Sequence, residues 1–191
     1  MKKIILSAIA VMVVSLSFAQ NKYNKVYEYV TYKEGWALVR SIAGNYGFIN
    51  RQGQEVVSPQ YAKIDRFGVY KPNWALVKSI TGNYGFIDQD GKVVVTPQYA
   101  KVEKFGEYAA NWALVKSITG NYGFIDADGK EVVAPIYAHI EKFGAYGKDL
   151  ALVQSVAGNY GLIDRNGKEV VGARFPLSEL KLRLQEVRST K

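Results

Sequence analysis

A 38-residue repeat is the feature that most restricts how this chain can fold. The segment WALVKSITGNYGFID occurs twice without change, at 74–88 and at 112–126. The first position of that segment recurs at the same interval along most of the chain, as Trp36, Trp74, Trp112 and Leu150. Periods of about 20 to 50 residues are typical of stacked or circular arrays, in which each repeat buries its apolar face against a neighbour. The sequence therefore predicts an array of similar units.

The first two strands of a repeat are predicted from the segment 74–88. WALVKSI alternates in side-chain size, which predicts a strand packed on both sides, with Trp74, Leu76 and Ile80 on one face. Gly82-Asn83 follows, a pair that suits a type II′ turn with glycine in the first central position. The sequence therefore predicts a tight hairpin that leads into the apolar stretch before Asp88.

The third strand is predicted after a second turn. Asp88-Gln89-Asp90-Gly91-Lys92 predicts a type I turn closed by glycine in the left-handed region. Three valines follow, and Pro97 is expected to end this strand because proline cannot donate to a ladder of hydrogen bonds. The stretch 99–106 shows no clear period and is predicted to be a packed turn.

These elements predict an all-β fold, an array of about four 38-residue, three-stranded antiparallel repeats that forms an open solenoid or superhelix. A small four-bladed propeller is the alternative, because four repeats suffice for a ring and an N-terminal half-repeat can complete the last blade. Propeller blades usually have four strands, which favours the open array. The predicted segments are a signal peptide at 1–19, a partial repeat at 20–35, repeats at 36–73, 74–111 and 112–149, a partial repeat at 150–175 and a C-terminal cap at 176–191.

The N-terminus resembles a cleavable secretory signal. Lys2 and Lys3 precede an apolar run that ends near Leu16, and small residues surround Ala19, after which we expect cleavage. The run is shorter than the about 20 apolar residues of a membrane-spanning helix. We therefore expect an exported protein, periplasmic or secreted, with no stable membrane span after cleavage.

Composition restricts the chemistry of the chain. It has no cysteine, which excludes disulfides and cysteine-ligated metals. Loss of residues 1–19 lowers the basic residues from 25 to 23 against 17 acidic ones, a formal charge of +6. This moderate basic bias favours anionic surfaces as partners, but the chain has no basic block, so nucleic acid is not an expected partner.

The order of the repeated elements resembles a known family. An Ala-Leu-Val strand is followed by Gly-Asn-Tyr-Gly-Phe-Ile-Asp, Asp-Gly-Lys, a valine pair, Pro-Gln-Tyr and Phe-Gly. This order, over nearly all of 23–171, is similar to that of the WG-repeat (KWG) β-repeat proteins of bacteria, with Tyr-Gly in place of the family's Trp-Gly. The resemblance implies a β-repeat array, often exported or associated with the cell envelope, with no catalytic activity established for the repeat.

The repeated apolar residues and glycines are predicted to form the structural core of each unit. Phe86 is expected to fill the core, and Gly85 is expected where a side chain would block the close approach of the next layer. The corresponding core positions are Trp36, Trp74, Trp112, Phe48, Phe86, Phe124, Gly47, Gly85, Gly123 and Gly161.

The sequence predicts no catalytic, metal or cofactor site. Asp88-x-Asp90-Gly91 imitates the start of a calcium loop, but its glycine comes too early and no glutamate stands at loop position twelve. The single histidine, His139, takes the position of Lys63 and Lys101 and has no partner at a useful spacing for catalysis. We therefore expect a protein that is not an enzyme and needs no cofactor.

Repetition also places equivalent cations and tyrosines at regular intervals. The candidate ligand-binding ladders are Arg66, Lys104, Lys142, Tyr70, Tyr108 and Tyr146. They suit an extended anionic ligand such as an envelope polysaccharide. Acidic residues stand directly before each cation and can neutralise the ladder. We rank a second hypothesis higher, a scaffold or adaptor that binds another envelope or secreted protein, because arrays offer extended binding surfaces.

The C-terminal segment 176–191 departs from the repeat. Leu180, Leu182 and Leu184 alternate as in a strand, whereas Ser178 can also cap a short helix that carries Leu180 and Leu184 on one face. In either form the segment is predicted to cover the last repeat, because an open end would expose apolar surface and unpaired strand edges.

Overall fold

The computed structural model describes residues 22–189, so the predicted signal peptide at 1–19 lies outside the described residues. The described strands are β1 (Tyr23–Val26), β2 (Trp36–Ser41), β3 (Tyr46–Asn50), β4 (Glu55–Ile64), β5 (Ala75–Ser79), β6 (Tyr84–Ile87), β7 (Val93–Val102), β8 (Ala113–Ser117), β9 (Tyr122–Ile125), β10 (Glu131–Ile140), β11 (Leu150–Ser155), β12 (Tyr160–Asp164) and β13 (Glu169–Phe175). They are followed by the helix α1 (Leu177–Ser189).

The chain divides into two compact units, one ending at Pro97 and the other beginning at Gln98, so the division falls within β7. In the first unit, β1 to β6 pair antiparallel in chain order. In the second unit, β8 to β13 do the same. The strand order is the chain order throughout and the sheet is open. The predicted all-β, antiparallel, open array is therefore confirmed.

The strands β4 and β10 join consecutive repeats into continuous sheets. Each has ten residues and is hydrogen-bonded to the strands on both sides. Tyr61 on β4, for example, is paired with Tyr46 on β3 and with Ser79 on β5. Propeller blades are separate sheets arranged around a channel. The alternative of a four-bladed propeller is therefore wrong.

Proline does not end the third strand of the repeat, and that prediction is wrong. Pro59 and Pro97 both lie inside ten-residue strands, β4 and β7. Between β3 and β4 the register moves from Phe48 opposite Val57 to Tyr46 opposite Tyr61, so the β4 side contains two extra residues. Such a bulge removes Pro59 from the ladder, and its missing N–H costs nothing there. The stretch predicted to be a turn from Tyr99 therefore begins as strand.

The glycine of Tyr-Gly is required by this bulge. A Cβ on Gly47 would overlap the carbonyl oxygen of Val57 and lie 2.7 Å from the nitrogen of Pro59. A Cβ on Gly85 would lie 2.6 Å from the nitrogen of Pro97. The close approach predicted at Gly85 is present, but the neighbour is the bulge of the adjoining strand and not another layer.

The first hairpin turn of the repeat differs from the prediction. The N–H of Gly82 donates to the carbonyl oxygen of Ser79 at 3.0 Å, which makes Ile80 and Thr81 the central residues of the turn. Gly82 closes the turn at a φ of 93°, in the left-handed region. The predicted type II′ turn centred on Gly82-Asn83 is therefore wrong. The second turn, closed by Gly91 at a φ of 79°, agrees with its prediction.

Within each unit, consecutive repeats pack face to face, so that the facing sides of their hairpins are buried. In the first unit, Trp36, Leu38 and Phe48 of one repeat form a cluster with residues of the next, among them Ala75, Val77 and Ile87. In the second unit the equivalent cluster contains Trp112, Leu114, Phe124, Ala151, Val153 and Ile163. Large side chains on one hairpin face therefore cover smaller ones on the opposite face of the following hairpin.

Both ends of the array are covered, the first by the N-terminal partial repeat and the last by the helix that follows the repeats. At the start, Tyr23 packs with Ala37, Val39 and Ile49, the face that a preceding repeat would otherwise cover. At the end, Leu180 of α1 is fully buried against Leu152 and Leu162.

The C-terminal segment is a helix, so its alternative interpretation as a strand is wrong. Ser178 lies within the first turn of α1, and the N–H of Leu180 donates to the carbonyl oxygen of Pro176. The helix therefore begins too early for Ser178 to cap it.

A tyrosine–glutamate hydrogen bond links strands three apart in the sheet. The Tyr23 hydroxyl donates to Oε1 of Glu55 at 2.8 Å. The same bond recurs in the second unit, from Tyr99 to Glu131 and from Tyr137 to Glu169. Each pair is separated by 32 residues, so these bonds connect consecutive repeats.

Candidate functional site

The tyrosines predicted as a ligand ladder are half-buried and pack on the core of their own unit. The ring of Tyr70 lies 6.1 Å from that of Phe86, and the ring of Tyr108 lies 6.0 Å from that of Phe124. Tyr146 packs against the cluster around Leu152. Their rings contribute to the packing of each repeat, which reduces the aromatic face available to a ligand.

The cations predicted beside them, Arg66, Lys104 and Lys142, are exposed. The neighbouring acids have other partners. Asp65 is bound by Lys63 at 2.7 Å and Glu103 by Lys101 at 2.5 Å. The structure brings one predicted cation to one predicted tyrosine within the second unit, since Nζ of Lys142 lies 5.5 Å from the ring centroid of Tyr108.

The aspartates of the calcium-like motif organise a turn. Oδ1 of Asp88 accepts hydrogen bonds from the backbone N–H groups of Asp90 and Lys92, both at 2.9 Å. Asp126 accepts the same pair of bonds in the next repeat. Aspartate is favoured here because its short side chain can bond the backbone two residues on. His139, the candidate weighed for catalysis, lies exposed on β10.

Sequence reasoning missed a set of exposed apolar side chains at the first hairpin turn of every repeat. They are 70–78% exposed and occupy one position of the 38-residue period: Ile42, Ile80, Ile118 and Val156. We call these four residues the hairpin tips. Ile80 was predicted to share a face with Trp74 and Leu76, but it lies in the turn after β5 has ended. A signal was present, since large apolar residues are unusual in a turn closed by glycine.

A cavity of about 660 Å³ opens on the first unit. Its walls come from the segment after β1, the first hairpin, β4 and the hairpin turn of the next repeat. Its aromatic and charged lining residues are Tyr27, Tyr32, Tyr46, Lys63, Asp65, Arg66 and Lys78. Its larger apolar lining residues are Leu38, Ile64 and Ile80. We call it the first-unit cavity.

Cations cover the tyrosine rings around this cavity. Nζ of Lys25 lies 4.4 Å from the ring centroid of Tyr27, and the guanidinium of Arg40 lies 5.8 Å from that of Tyr46. The two rings are tilted by 43° at a centroid distance of 6.5 Å. Two of the tyrosine rings at the cavity therefore have a cation beside them and are not stacked in parallel on each other.

Charge pairing inside the cavity involves one cation. The carboxylate of Asp65 hydrogen-bonds Lys63 and thereby raises the pKa of that amine. Arg66 and Lys78 also line the cavity, and Asp65 is the one acidic residue among the described lining residues. The described lining residues therefore carry a net positive charge, which favours an anionic ligand.

Among the described residues, no helix combines the length and the apolar character needed to cross a membrane.

Comparison with known protein families places the chain among repeat proteins. The family described as WG containing repeat matches residues 46–79, 84–117, 122–155 and 160–176. Each full match begins at the tyrosine of Tyr-Gly and ends in the first strand of the following repeat. A search of curated proteins finds no match. The four matched segments cover more than half of the chain, which therefore belongs to the WG containing repeat family.

Proposed function

We propose that this protein is a non-catalytic, exported binding or scaffold module for another protein of the envelope or the secreted fraction. The hairpin tips carry this proposal. Four β-branched apolar side chains at one position of the repeat expose 70–78% of their surface. Exposed apolar surface that recurs in this way is characteristic of protein interaction sites, because water contact with it is removed on binding.

The tips differ in kind from scattered surface apolar residues. A hairpin turn closed by glycine is ordinarily polar, and nothing in its backbone geometry requires isoleucine. In both units the tip follows the strand whose cation, Arg40, Lys78 or Lys116, lies near a Tyr-Gly tyrosine ring. Three repeats thus have a cation and an aromatic ring on the hairpin that carries the tip, and in the fourth Gln154 stands in place of the cation and donates to the Tyr160 hydroxyl. Of these residue types, tyrosine and arginine are enriched in protein interfaces.

The alternative ligand is an anionic envelope polysaccharide bound through the basic and tyrosine ladders. The exposed cations Arg66, Lys104 and Lys142 support it. The half-buried state of Tyr70, Tyr108 and Tyr146 weakens it, because sugars that stack need free aromatic faces. We therefore rank the protein partner first.

A pulldown at two salt concentrations tests the two functions. The purified protein is immobilised and offered solubilised envelope and secreted fractions of its own host. A variant with serine at all four tips is the test, and Val69→Ser with Val170→Ser is the matched control, since these exposed valines lie away from the tips. We expect to recover a discrete partner protein that stays bound at high salt. The tip variant should fail to capture this protein, and the control variant should capture it.

The opposite result has a defined form. Polysaccharide recovered only at low salt, and lost when Arg66, Lys104 and Lys142 are neutralised, would replace the protein-binding function by the polysaccharide one. Export is tested separately by sequencing the N-terminus of the protein from the host envelope or medium. Cleavage after Ala19 supports export, and an intact Met1 contradicts it.

A further inference from the structure

The lining residues of the first-unit cavity differ in charge from the residues at the equivalent positions of the second unit. The lining residues Tyr27, Lys63 and Lys78 correspond, 76 residues later, to Glu103, His139 and Gln154. Asp65 and Arg66 keep their charges as Glu141 and Lys142. Three cations and one carboxylate in the first unit thus correspond to one cation and two carboxylates in the second. A site that depends on positive charge is therefore confined to the first of these two regions.

The position of Tyr27 is decisive for this difference. The later repeats carry an acid there, Asp65, Glu103 or Glu141. In the first repeat the acid is replaced by a half-buried tyrosine whose ring has Lys25 beside it. The replacement removes a negative charge from the cavity and leaves the lysine associated with an aromatic ring in place of a carboxylate.

From this geometry we propose that the first-unit cavity binds an acidic peptide segment of the partner protein. Carboxylate side chains of the peptide contact Arg66 and Lys78, and an apolar side chain of the peptide contacts Ile80 at the rim. This proposal rests on the protein-binding function above and names the chemistry of one partner segment. Asp65 already binds Lys63, whereas Arg66 and Lys78 provide further positive charge in the same lining. Charge complementarity therefore favours a peptide with acidic side chains.

A peptide suits the cavity better than a sugar. The ring of Tyr32 is turned 62° from that of Phe48 and packs against the core at 5.8 Å. Lys25 and Arg40 lie beside the rings of Tyr27 and Tyr46. The cavity therefore offers cations, hydroxyl groups and the apolar surface of Ile80, and little free aromatic face for stacking. Alternating acidic and apolar side chains complement such a lining.

The test is a fluorescence anisotropy titration of the purified protein with a labelled peptide of alternating glutamate and leucine. A peptide with glutamine in place of glutamate and a labelled uronic-acid oligosaccharide of equal charge are the other probes. Arg66→Gln and Lys78→Gln should each weaken peptide binding by about 5-fold or more, and Tyr27→Glu by about 10-fold or more. Lys116→Gln, the equivalent of Lys78 one repeat later, should change it by less than about 2-fold.

These variants are chosen so that they keep the fold. Glutamine stands at 154, the position of Lys78, and glutamate stands at 103, the position of Tyr27, so both substitutions already occur in other repeats. A circular dichroism spectrum and melt identical to those of the unmodified protein would verify this. If Arg66→Gln melts early, Arg66→Lys is measured in its place. This variant keeps the positive charge and should keep most of the affinity for the peptide.

Three results would overturn the proposal. They are equal binding of the glutamine peptide, equal loss with Lys116→Gln, and binding of the oligosaccharide but not the peptide with the same dependence on Arg66. The proposed function fails independently, if changing the hairpin tips leaves capture of the partner protein intact. A tip-dependent partner with no peptide binding would retain the proposed function and reject the cavity as its acidic-peptide site.

Discussion

Residues 27–82 of the first unit and residues 103–158 of the second occupy equivalent positions in the 38-residue period, and they have nearly the same core. The rings of Trp36 and Phe48 are 5.4 Å apart in one, and those of Trp112 and Phe124 are 5.4 Å apart in the other. Their surfaces differ, from a net positive lining around Tyr27 to an acidic position at Glu103. Packing between repeats thus constrains the interior, whereas exposed positions are free to diverge and to specialise.

The largest effect should come from the shared core. Phe48→Ala and Phe124→Ala each remove a fully buried ring. Each should lower the free energy of unfolding by about 3–5 kcal/mol, and Phe86→Ala should do the same. Chemical denaturation measures these values, with the exposed Val69→Ala as a control expected to cost less than about 0.5 kcal/mol. A neutral Phe124→Ala beside a costly Phe48→Ala would show that the two cores are not equivalent.

The bulge should be the next most sensitive feature in both regions. Gly47→Ala and Gly123→Ala each place a Cβ against the backbone of the adjoining strand, 2.7 Å from the nitrogen of Pro59 or Pro135. We expect each to cost about 1–3 kcal/mol in denaturation experiments. Gly172→Ala is the control, because its nearest atom is a side-chain oxygen of Glu169 at 3.6 Å. Equal stability of all three variants would contradict the role of the bulge.

Alkaline pH should weaken both units through their buried tyrosines. Burial, with a hydrogen bond to Glu55, Glu131 or Glu169, raises the pKa of Tyr23, Tyr99 and Tyr137 above the ordinary value of 10.0. A raised pKa means that the folded protein holds the proton more tightly than the unfolded chain. The stability that these tyrosines contribute is therefore fully present below pH 10.0, and this contribution is lost as the pH rises further.

This prediction is measured as the free energy of unfolding between about pH 9 and about pH 12. Tyr137→Phe should flatten the decline, because phenylalanine has no proton to lose. A slope unchanged by this substitution would exclude Tyr137 from the effect.

The smallest predicted effect is a gain in the repeat that lacks one of the tyrosine–glutamate bonds. Tyr61 is buried, and the position 32 residues later holds Val93, which is 50% exposed, in place of glutamate. Val93→Glu should supply the hydrogen bond found at Tyr23, Tyr99 and Tyr137 and stabilise the protein by about 0.5–1.5 kcal/mol. A double-mutant cycle with Tyr61→Phe checks it, since the gain should vanish without the hydroxyl.

The sequence by itself determined the features that depend on neighbouring residues and on the period. Repetition predicted an all-β array, and the count of three strands in each repeat favoured its open form. The aspartate turn closed by Gly91 follows from local hydrogen bonding, and the alternation of Trp74, Ala75, Leu76 and Val77 predicted a strand buried on both sides. These inferences held because turn geometry and side-chain alternation are local properties of the backbone.

Only the tertiary structure decided the features that depend on distant residues. Pro59, the equivalent of Pro97, remains within a strand because a bulge opposite Gly47 removes it from the ladder. Ile80 is exposed because β5 ends at Ser79, one residue before the predicted end of that strand, so that Ile80 lies in the turn. The first-unit cavity joins Tyr27 to Arg66 and Lys78, which are 39 and 51 positions away along the chain. No local pattern encodes such proximity, because it arises from the packing of one repeat against the next.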